Sequence, residues 1–492
     1  MLVPSRFVPP KLSGKRDMHT LRAWLFFASL TWAQLESQNL TFNSTFHLTA
    51  AQKRAANLSE ALAHSVEVAL NFERSNNAGH LTQNDPFYFL PTNVNRSHLP
   101  PPGTILKVEE YTNTSFYTLP PTLSMSRLLY VTEALNGSSI PASAYVLWPY
   151  VPKKVPGLSA CNGQNGTVYP LVGQAHGTSG QTQACAPSNL RNLWDAWNEP
   201  FALALNGYAV VAPDYAGYGV PEMPTPYFIF PSHANDLFHA VGAAQKQWPH
   251  LLSKEFILGG QSQGGGTAWA ATQRQAQRPV DGYLGTYAAS PFTTVLSDIA
   301  GEDDTQVNAR VVGIAQGLDS VLPSFKLSDW LTDAAIDRLH LLQEIVGCSA
   351  PGGQLFSSKQ GIQFLKDGWN ETSAAQWYRN VSDNGAKPLA GPLLVLQGDS
   401  DPNAVPHVTT QAVNDTCAMF PDAQLEYGYY KGITHTPIMQ SAYMQWMGWI
   451  EDRFNKKPVQ KGCKMETVAP VRGVDNIVKN GDWVMVWDEY GL

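Results

Sequence analysis

Gly260-Gln261-Ser262-Gln263-Gly264 is a G-x-S-x-G pentapeptide. The chemistry such a motif serves is nucleophilic. Its serine sits on a turn so sharp that the hydroxyl stands clear of the chain, and the flanking glycines let neighbouring backbone pass closely. The bare pattern is short enough to arise by chance; its context makes it specific. Phe256-Ile257-Leu258-Gly259-Gly260 reads as a strand before it, and Gly264-Gly265-Gly266-Thr267-Ala268-Trp269 as the start of a helix behind it. The plain alternative is a glycine-rich turn with a capping serine.

A serine hydroxyl needs a base to take its proton, and the base needs an acid to orient it. In a strand–turn–helix setting of this kind the acid and the histidine follow the serine along the chain. Only His340, His407 and His435 lie beyond Ser262. His435 comes just after the strand-like run Gln424–Tyr430, whereas His340 falls in a helical stretch and His407 is six residues past Asp401. The run Leu393-Leu394-Val395-Leu396 ends in Asp399 and Asp401. Asp401 is preferred, because Val405-Pro406 behind it places its carboxylate one turn past the strand; Asp399 is the second choice. The expected reaction is acyl transfer with Ser262 as nucleophile, His435 as base and Asp401 as the orienting acid. Two donors must face the developing oxyanion: the N–H of Gln263, and one from the loop His176-Gly177-Thr178-Ser179-Gly180, with Thr178 as candidate. His176 precedes the serine and is read as shaping that loop.

The elements that would position these residues alternate. Strands are predicted at 105–111, 126–135, 144–149, 168–177, 208–219, 255–260, 283–290, 392–401 and 424–430. Helices are predicted over 50–70, 192–207, 231–249 (capped by Ser232), 264–277, 406–419 and 437–454. Short apolar runs joined by crossover helices mean a mostly parallel, doubly wound α/β sheet covered on both faces. The rhythm breaks over 292–388, too long for a loop between two strands of one sheet, and that segment is read as an inserted helical cap. The expected organisation is a signal peptide over 1–33, a helical lead-in over 34–103, the α/β core over 104–291 and 389–456 around the cap, and a tail over 457–492 with no assigned role. Within the cap, Val321, Leu322, Phe325, Leu327, Trp330, Leu331, Ile336, Leu339, Leu341 and Leu342 could line an apolar tunnel or simply form the cap's own core.

Composition bounds the partners. The chain has 492 residues, 43% hydrophobic but only 15% charged, with a net charge of −7. A mildly acidic balance excludes the basic stripe that nucleic-acid binding requires. No H-x-x-x-H or HExxH spacing suggests a metal, and no cofactor is implied. Lys15, Arg16 and Arg22 precede the uncharged run Ala23–Leu35, with Thr31 and Ala33 forming a small-x-small site. This reads as a signal peptide, since a bilayer span needs about 20 apolar residues. Ten Asn-x-Ser/Thr sequons agree with export: Asn39, Asn43, Asn57, Asn95, Asn113, Asn136, Asn165, Asn370, Asn380 and Asn414. The expected location is extracellular. The five cysteines, Cys161, Cys185, Cys348, Cys417 and Cys463, form no CxxC. Two disulfides and one leftover thiol are expected in an oxidising compartment, with the pairing open.

Taken in order, several motifs resemble the secretory lipases of lipase A type within the α/β-hydrolase fold. They are His176-Gly177-Thr178-Ser179-Gly180 with Cys185-Ala186-Pro187-Ser188, the run Gly207–Gly219, the elbow Gly260–Gly265, the acid loop Gln397–Pro406, and Tyr430–Pro437 before Trp449–Phe454. The resemblance covers roughly 104–454. It implies ester hydrolysis, a helical cap over the site, and a disulfide from Cys185 to the cap at Cys348; Cys417–Cys463 is then a guess. Two features depart from the family. No acidic residue lies between Gly173 and Cys185, and glutamines flank the elbow serine. The expected substrate is a small-molecule ester or lipid, with transient contact to a lipid interface. An acyltransferase, a deacetylase acting on a secondary metabolite, or an exopeptidase would use the same scaffold. A non-catalytic binding protein of this fold would be expected to lack the serine or the histidine.

Overall fold

A ten-stranded sheet carries the molecule, in the order β1-β2-β3-β5-β4-β6-β7-β8-β9-β10. The computed structural model describes residues 45–163, 167–194, 196–299 and 304–478. The segment 1–33 and the sequons at Asn39, Asn43 and Asn165 lie outside the described residues. The strands are β1 (Ile105–Glu109), β2 (Ser124–Glu133), β3 (Ser139–Trp148), β4 (Tyr169–Ala175), β5 (Ala209–Pro213), β6 (Leu252–Gln261), β7 (Tyr283–Ala289), β8 (Leu393–Gly398), β9 (Leu425–Tyr430) and β10 (Cys463–Val468). The pairs from β1 through β3 to β5 are antiparallel, and every pair from β5 onward is parallel.

The helices are α1 (Ala50–Ala55), α2 (Glu60–Ser75), α3 (Pro200–Leu205), α4 (Phe230–Gln247), α5 (Gln263–Gln277), α6 (Val295–Asp298), α7 (Asp304–Val321), α8 (Leu327–Trp330), α9 (Asp333–Glu344), α10 (Ser349–Leu355), α11 (Ser373–Ser382), α12 (Pro406–Met419), α13 (Ile438–Ser441) and α14 (Tyr443–Phe454). Successive strand residues face opposite sides of a sheet. Leu171, Phe256 and Leu258 therefore pack with α4 on one face, whereas Val172, Ile257 and Leu394 pack with Trp446 and Ile450 of α14 on the other. This sandwich explains why the central strands read as unbroken apolar runs.

Several sequence-based boundaries move, each for a local reason. The lead-in is two helices, because Asn57 takes a positive φ of 49° and Ser59 caps α2. The helix predicted over 192–207 shrinks to α3: Leu193 and Trp194 have φ of 55° and 50°, which no helix tolerates. Ser232 is not a cap but lies inside α4, whose N-cap is Ile229. The last helix is split into α13 and α14. Part of the tail also has a place in the sheet: β10 runs parallel to β9 and is tied to α12 by the Cys417–Cys463 disulfide.

Between β7 and β8 run the helices α6 to α11. Phe325, Trp330, Leu331, Leu339, Leu341 and Leu342 are buried in the same apolar cluster as one face of the sheet, while Val321, Leu322, Leu327 and Ile336 pack against it partly exposed. The Cys185–Cys348 disulfide joins this stretch to the loop after β4. No helix among the described residues is long and apolar enough to cross a membrane.

Candidate active site

The strand–turn–helix around Ser262 is built by glycine sterics. Ser262 follows β6 and precedes α5, with φ 64° and ψ −125°, a region that costs an L-residue of order 1–3 kcal/mol. A Cβ on Gly260 would lie 2.5 Å from the Ala175 carbonyl oxygen, one on Gly264 1.9 Å from it, and one on Gly265 2.6 Å from the Ala289 oxygen. The start of α5 is thus wedged between the ends of β4 and β7, and only glycine fits at the contact points. The Ser262 side chain does not cap α5, so its hydroxyl is left for other partners while the first N–H groups of the helix stay beside it.

Two loops at the same rim supply those partners. The turn after β8 and the turn after β9 are stitched together: Asp399 N–H donates to the Tyr430 carbonyl at 2.9 Å and Ser400 N–H to that of Ile433 at 3.0 Å. A Cβ on Gly398 would meet the Ile433 oxygen at 2.2 Å, so this approach too requires glycine. The stitching brings Asp401 to His435, with Nδ1 2.8 Å from Oδ2 and 3.0 Å from Oδ1. On the other side of the ring, Nε2 lies 2.8 Å from Ser262 Oγ. The structure therefore brings together three side chains from three separate turns.

Asp401 is 4% exposed. Burial pushes its carboxyl up, but the facing His435 and the Asn403 N–H, at 2.9 Å, outweigh it and hold the group below its ordinary value. Gln397 adds an Nε2 donor at 3.3 Å from Oδ2. Asp399, the second choice, is engaged elsewhere: its Oδ1 accepts from the Gly432 N–H at 2.6 Å and its Oδ2 lies 3.3 Å from Lys431 Nζ. His340 and His407 are both exposed on helices, away from this cluster.

The loop after β4 passes the serine at van der Waals distance, a Cβ on Gly177 falling 3.6 Å from Ser262 Cβ. Thr178 Oγ1 donates to Gln263 Oε1 at 3.0 Å. His176 is buried, its ring nitrogens facing the Gly177 and Asp214 carbonyls at 2.6 and 3.2 Å, and stacks on Tyr215. Burial pulls its value down to about 4. Gly180 has φ 140°, and a Cβ there would sit 2.5 Å from Cys185 Sγ and 2.7 Å from Cys348 Cβ, so the disulfide to Cys348 closes directly onto this loop. Ser188 is held by Asp214, which accepts from its N–H at 2.7 Å and its hydroxyl at 2.6 Å.

Sequence reasoning gave no role in the site to Gln261, Gln397 or Phe292. Gln261 Nε2 reaches the His435 carbonyl at 3.3 Å, and the Phe292 ring lies 6.0 Å from the imidazole. Nothing in their local pattern marks them; their roles come from loops that meet only in the fold. No group of three or more His, Cys, Asp or Glu side chains among the described residues could hold a metal ion.

A family model described as the alpha/beta hydrolase fold matches residues 187–428. The chain has the α/β-hydrolase fold. Lipase A of Candida antarctica superposes with a TM-score of 0.61 at 14% identity, covering 80% of this chain and 90% of that one. Its closed state gives a TM-score of 0.59 over 81% and 94%. A ligand-bound form of the rice cell wall degrading esterase LipA from Xanthomonas oryzae gives 0.52 at 16% identity, over 73% and 97%. At these identities the likeness is one of fold. A search of curated protein sequences gave no significant match.

Proposed function

We propose that the protein is a secreted serine carboxylic-ester hydrolase acting through an acyl-enzyme. The observation that carries this reading is the continuous hydrogen-bonded relay from Asp401 through His435 to Ser262 Oγ. His435 Nε2 takes the serine proton as Oγ attacks the ester carbonyl, then returns it to the departing alcohol. Water, activated by the same imidazole, releases the acid. Asp401 stays ionised throughout; it fixes the Nδ1–H tautomer and stabilises the imidazolium. The tetrahedral oxyanion is received by the N–H of Gln263 at the head of α5 and by a donor at Thr178.

The substrate is a small-molecule ester or lipid, in keeping with the lipase and esterase fold. The helices α6 to α11 act as its cap. Secretion is supported by the apolar N-terminal run, by the two disulfides, and by the exposure of Asn57, Asn95, Asn113, Asn136, Asn370, Asn380 and Asn414. Each of these asparagines is open to a glycan. Cys161 is the remaining cysteine, and burial pushes its thiol up to about 11, which suits an inert residue rather than a nucleophile.

The test is hydrolysis of p-nitrophenyl esters by wild type and Ser262→Ala, with amino-acid arylamides as the alternative substrate. Ester turnover abolished in a variant of unchanged circular dichroism supports the reading. Unchanged ester turnover, or cleavage of arylamides in place of esters, contradicts it.

A further inference from the structure

The glutamine after the nucleophile is an unusual residue to bury: an amide group without a partner costs free energy there, and Gln263 Nε2 is buried without one among the described residues. Gln263 is fully buried, at the first position of α5. Its Oε1 receives the Thr178 hydroxyl at 3.0 Å. Other ties of the loop after β4 run within the loop, to the surrounding core and to the segment between β7 and β8. The Tyr215 hydroxyl donates to the His176 carbonyl at 3.0 Å, the Ser179 hydroxyl to the Cys185 carbonyl at 2.8 Å, and the Tyr218 hydroxyl to the Gly180 carbonyl at 2.6 Å. Among the described residues, the Thr178 hydroxyl thus bonds this loop to the nucleophile helix through side chains.

We propose that Gln263 is a positioning residue, whose side-chain amide locks Thr178 and so sets the spacing between the two oxyanion donors. This rests on the serine hydrolase reading above and deepens it. The Thr178 hydroxyl has one hydrogen, and that hydrogen is committed to Gln263 Oε1. The hydroxyl is thus a tether, and the donor that Thr178 offers the oxyanion is its backbone N–H. One residue then plays two parts: the Gln263 N–H is one donor, and its side chain holds the residue that carries the other. The closeness of the two backbones makes the lock effective. Gly264, the next residue, leaves no room for a Cβ against the Ala175 and His176 carbonyls, so the loop and the helix are in close backbone contact just below the tether.

The experiment is a double-variant cycle with Thr178→Val and Gln263→Leu, reading kcat and KM on p-nitrophenyl butyrate. Active sites are counted by fluorophosphonate titration. A mispositioned donor costs the transition state more than the ground state. Each single variant is therefore expected to lower kcat by about 10–100-fold with KM within about threefold. The double variant should be no slower than the worse single, since both remove one bond. Thr178→Ser, which keeps the hydroxyl, should recover most of the loss. Losses that multiply in the double variant, or a loss confined to KM, would overturn the proposal. If Gln263→Leu does not fold, Thr178→Val against Thr178→Ser decides alone: equal kcat in the two overturns it. Wild type that fails to titrate with fluorophosphonate would instead count against the serine hydrolase reading.

Discussion

Two regions of the molecule hold carboxyls against backbone or imidazole, and they behave oppositely. At the rim, Asp401 faces His435 and is held below its ordinary value. Where α2 meets the start of α10, Glu73 of α2 accepts the N–H groups of Cys348 and Ala350, at 2.9 and 2.8 Å, and burial pushes it up to about 7. Its neighbour Arg74 donates to the Ile345 carbonyl at 2.9 Å, clamping the same segment. The difference is the partner. An imidazole that gains a proton can share a full charge, whereas two amide dipoles at the start of a short helix cannot offset the desolvation of a carboxylate. The rim is thus poised with its acid charged, and the junction is a contact whose strength depends on pH.

The largest expected effects lie at the rim. Ser262→Ala and His435→Ala should each cut ester kcat by about 10⁵–10⁶-fold, while exposed His407→Ala should stay within about twofold. The two aspartates give a sharper contrast. Asp401→Asn should lose about 10⁴-fold, by favouring the wrong imidazole tautomer. Asp399→Asn removes only a partly exposed contact to Lys431 and should cost less than about fivefold. A larger loss at Asp399 than at Asp401, read from steady-state kinetics, would reverse the assignment of the acid.

Next comes stability. Gly264→Ala places a methyl 1.9 Å from the Ala175 oxygen, where both atoms are backbone-anchored. It should destabilise the fold by about 3 kcal/mol or more in denaturant unfolding. A neutral outcome would mean that α5 is not wedged against β4. The smallest effect is at the junction. Glu73 has a folded-state value of about 7 against 4.5 ordinarily, so the folded protein keeps a proton that the unfolded chain has released. Its contribution is therefore lost as pH rises between those values. Glu73→Gln should flatten the pH dependence, and the wild-type Tm relative to this variant should fall by about 1–3 °C from pH 5 to pH 7.5. A difference of the opposite sign would show that the carboxylate is the preferred form there.

The two regions also differ in how far the chain announces them. Gly260, Gly264 and Gly265 are local requirements of one turn, and the apolar runs of β6 and β8 mark the strands that carry Ser262 and Asp401, so the rim is legible in sequence. The same reasoning recovers the parallel core and its crossover helices. The junction is not legible, because Glu73 and Cys348 are 275 residues apart and neither sits in a pattern that names its partner. β10 escaped notice for a related reason. Lys464, Met465, Glu466 and Thr467 are exposed on an edge strand, so no apolar alternation betrays it, and its place is set by pairing with β9 and the disulfide to Cys417. The turn at Leu193 and Trp194 was hidden by helix-forming neighbours; the Asn192 side chain accepting the Trp194 N–H at 3.2 Å is the local feature that goes with it.

The central claim is most directly tested by reacting the purified protein with a fluorophosphonate probe and mapping the modified peptide. The account predicts stoichiometric labelling on Ser262, lost in Ser262→Ala and strongly slowed in His435→Ala. Folded protein that stays unlabelled, or carries the label on another serine, would contradict it.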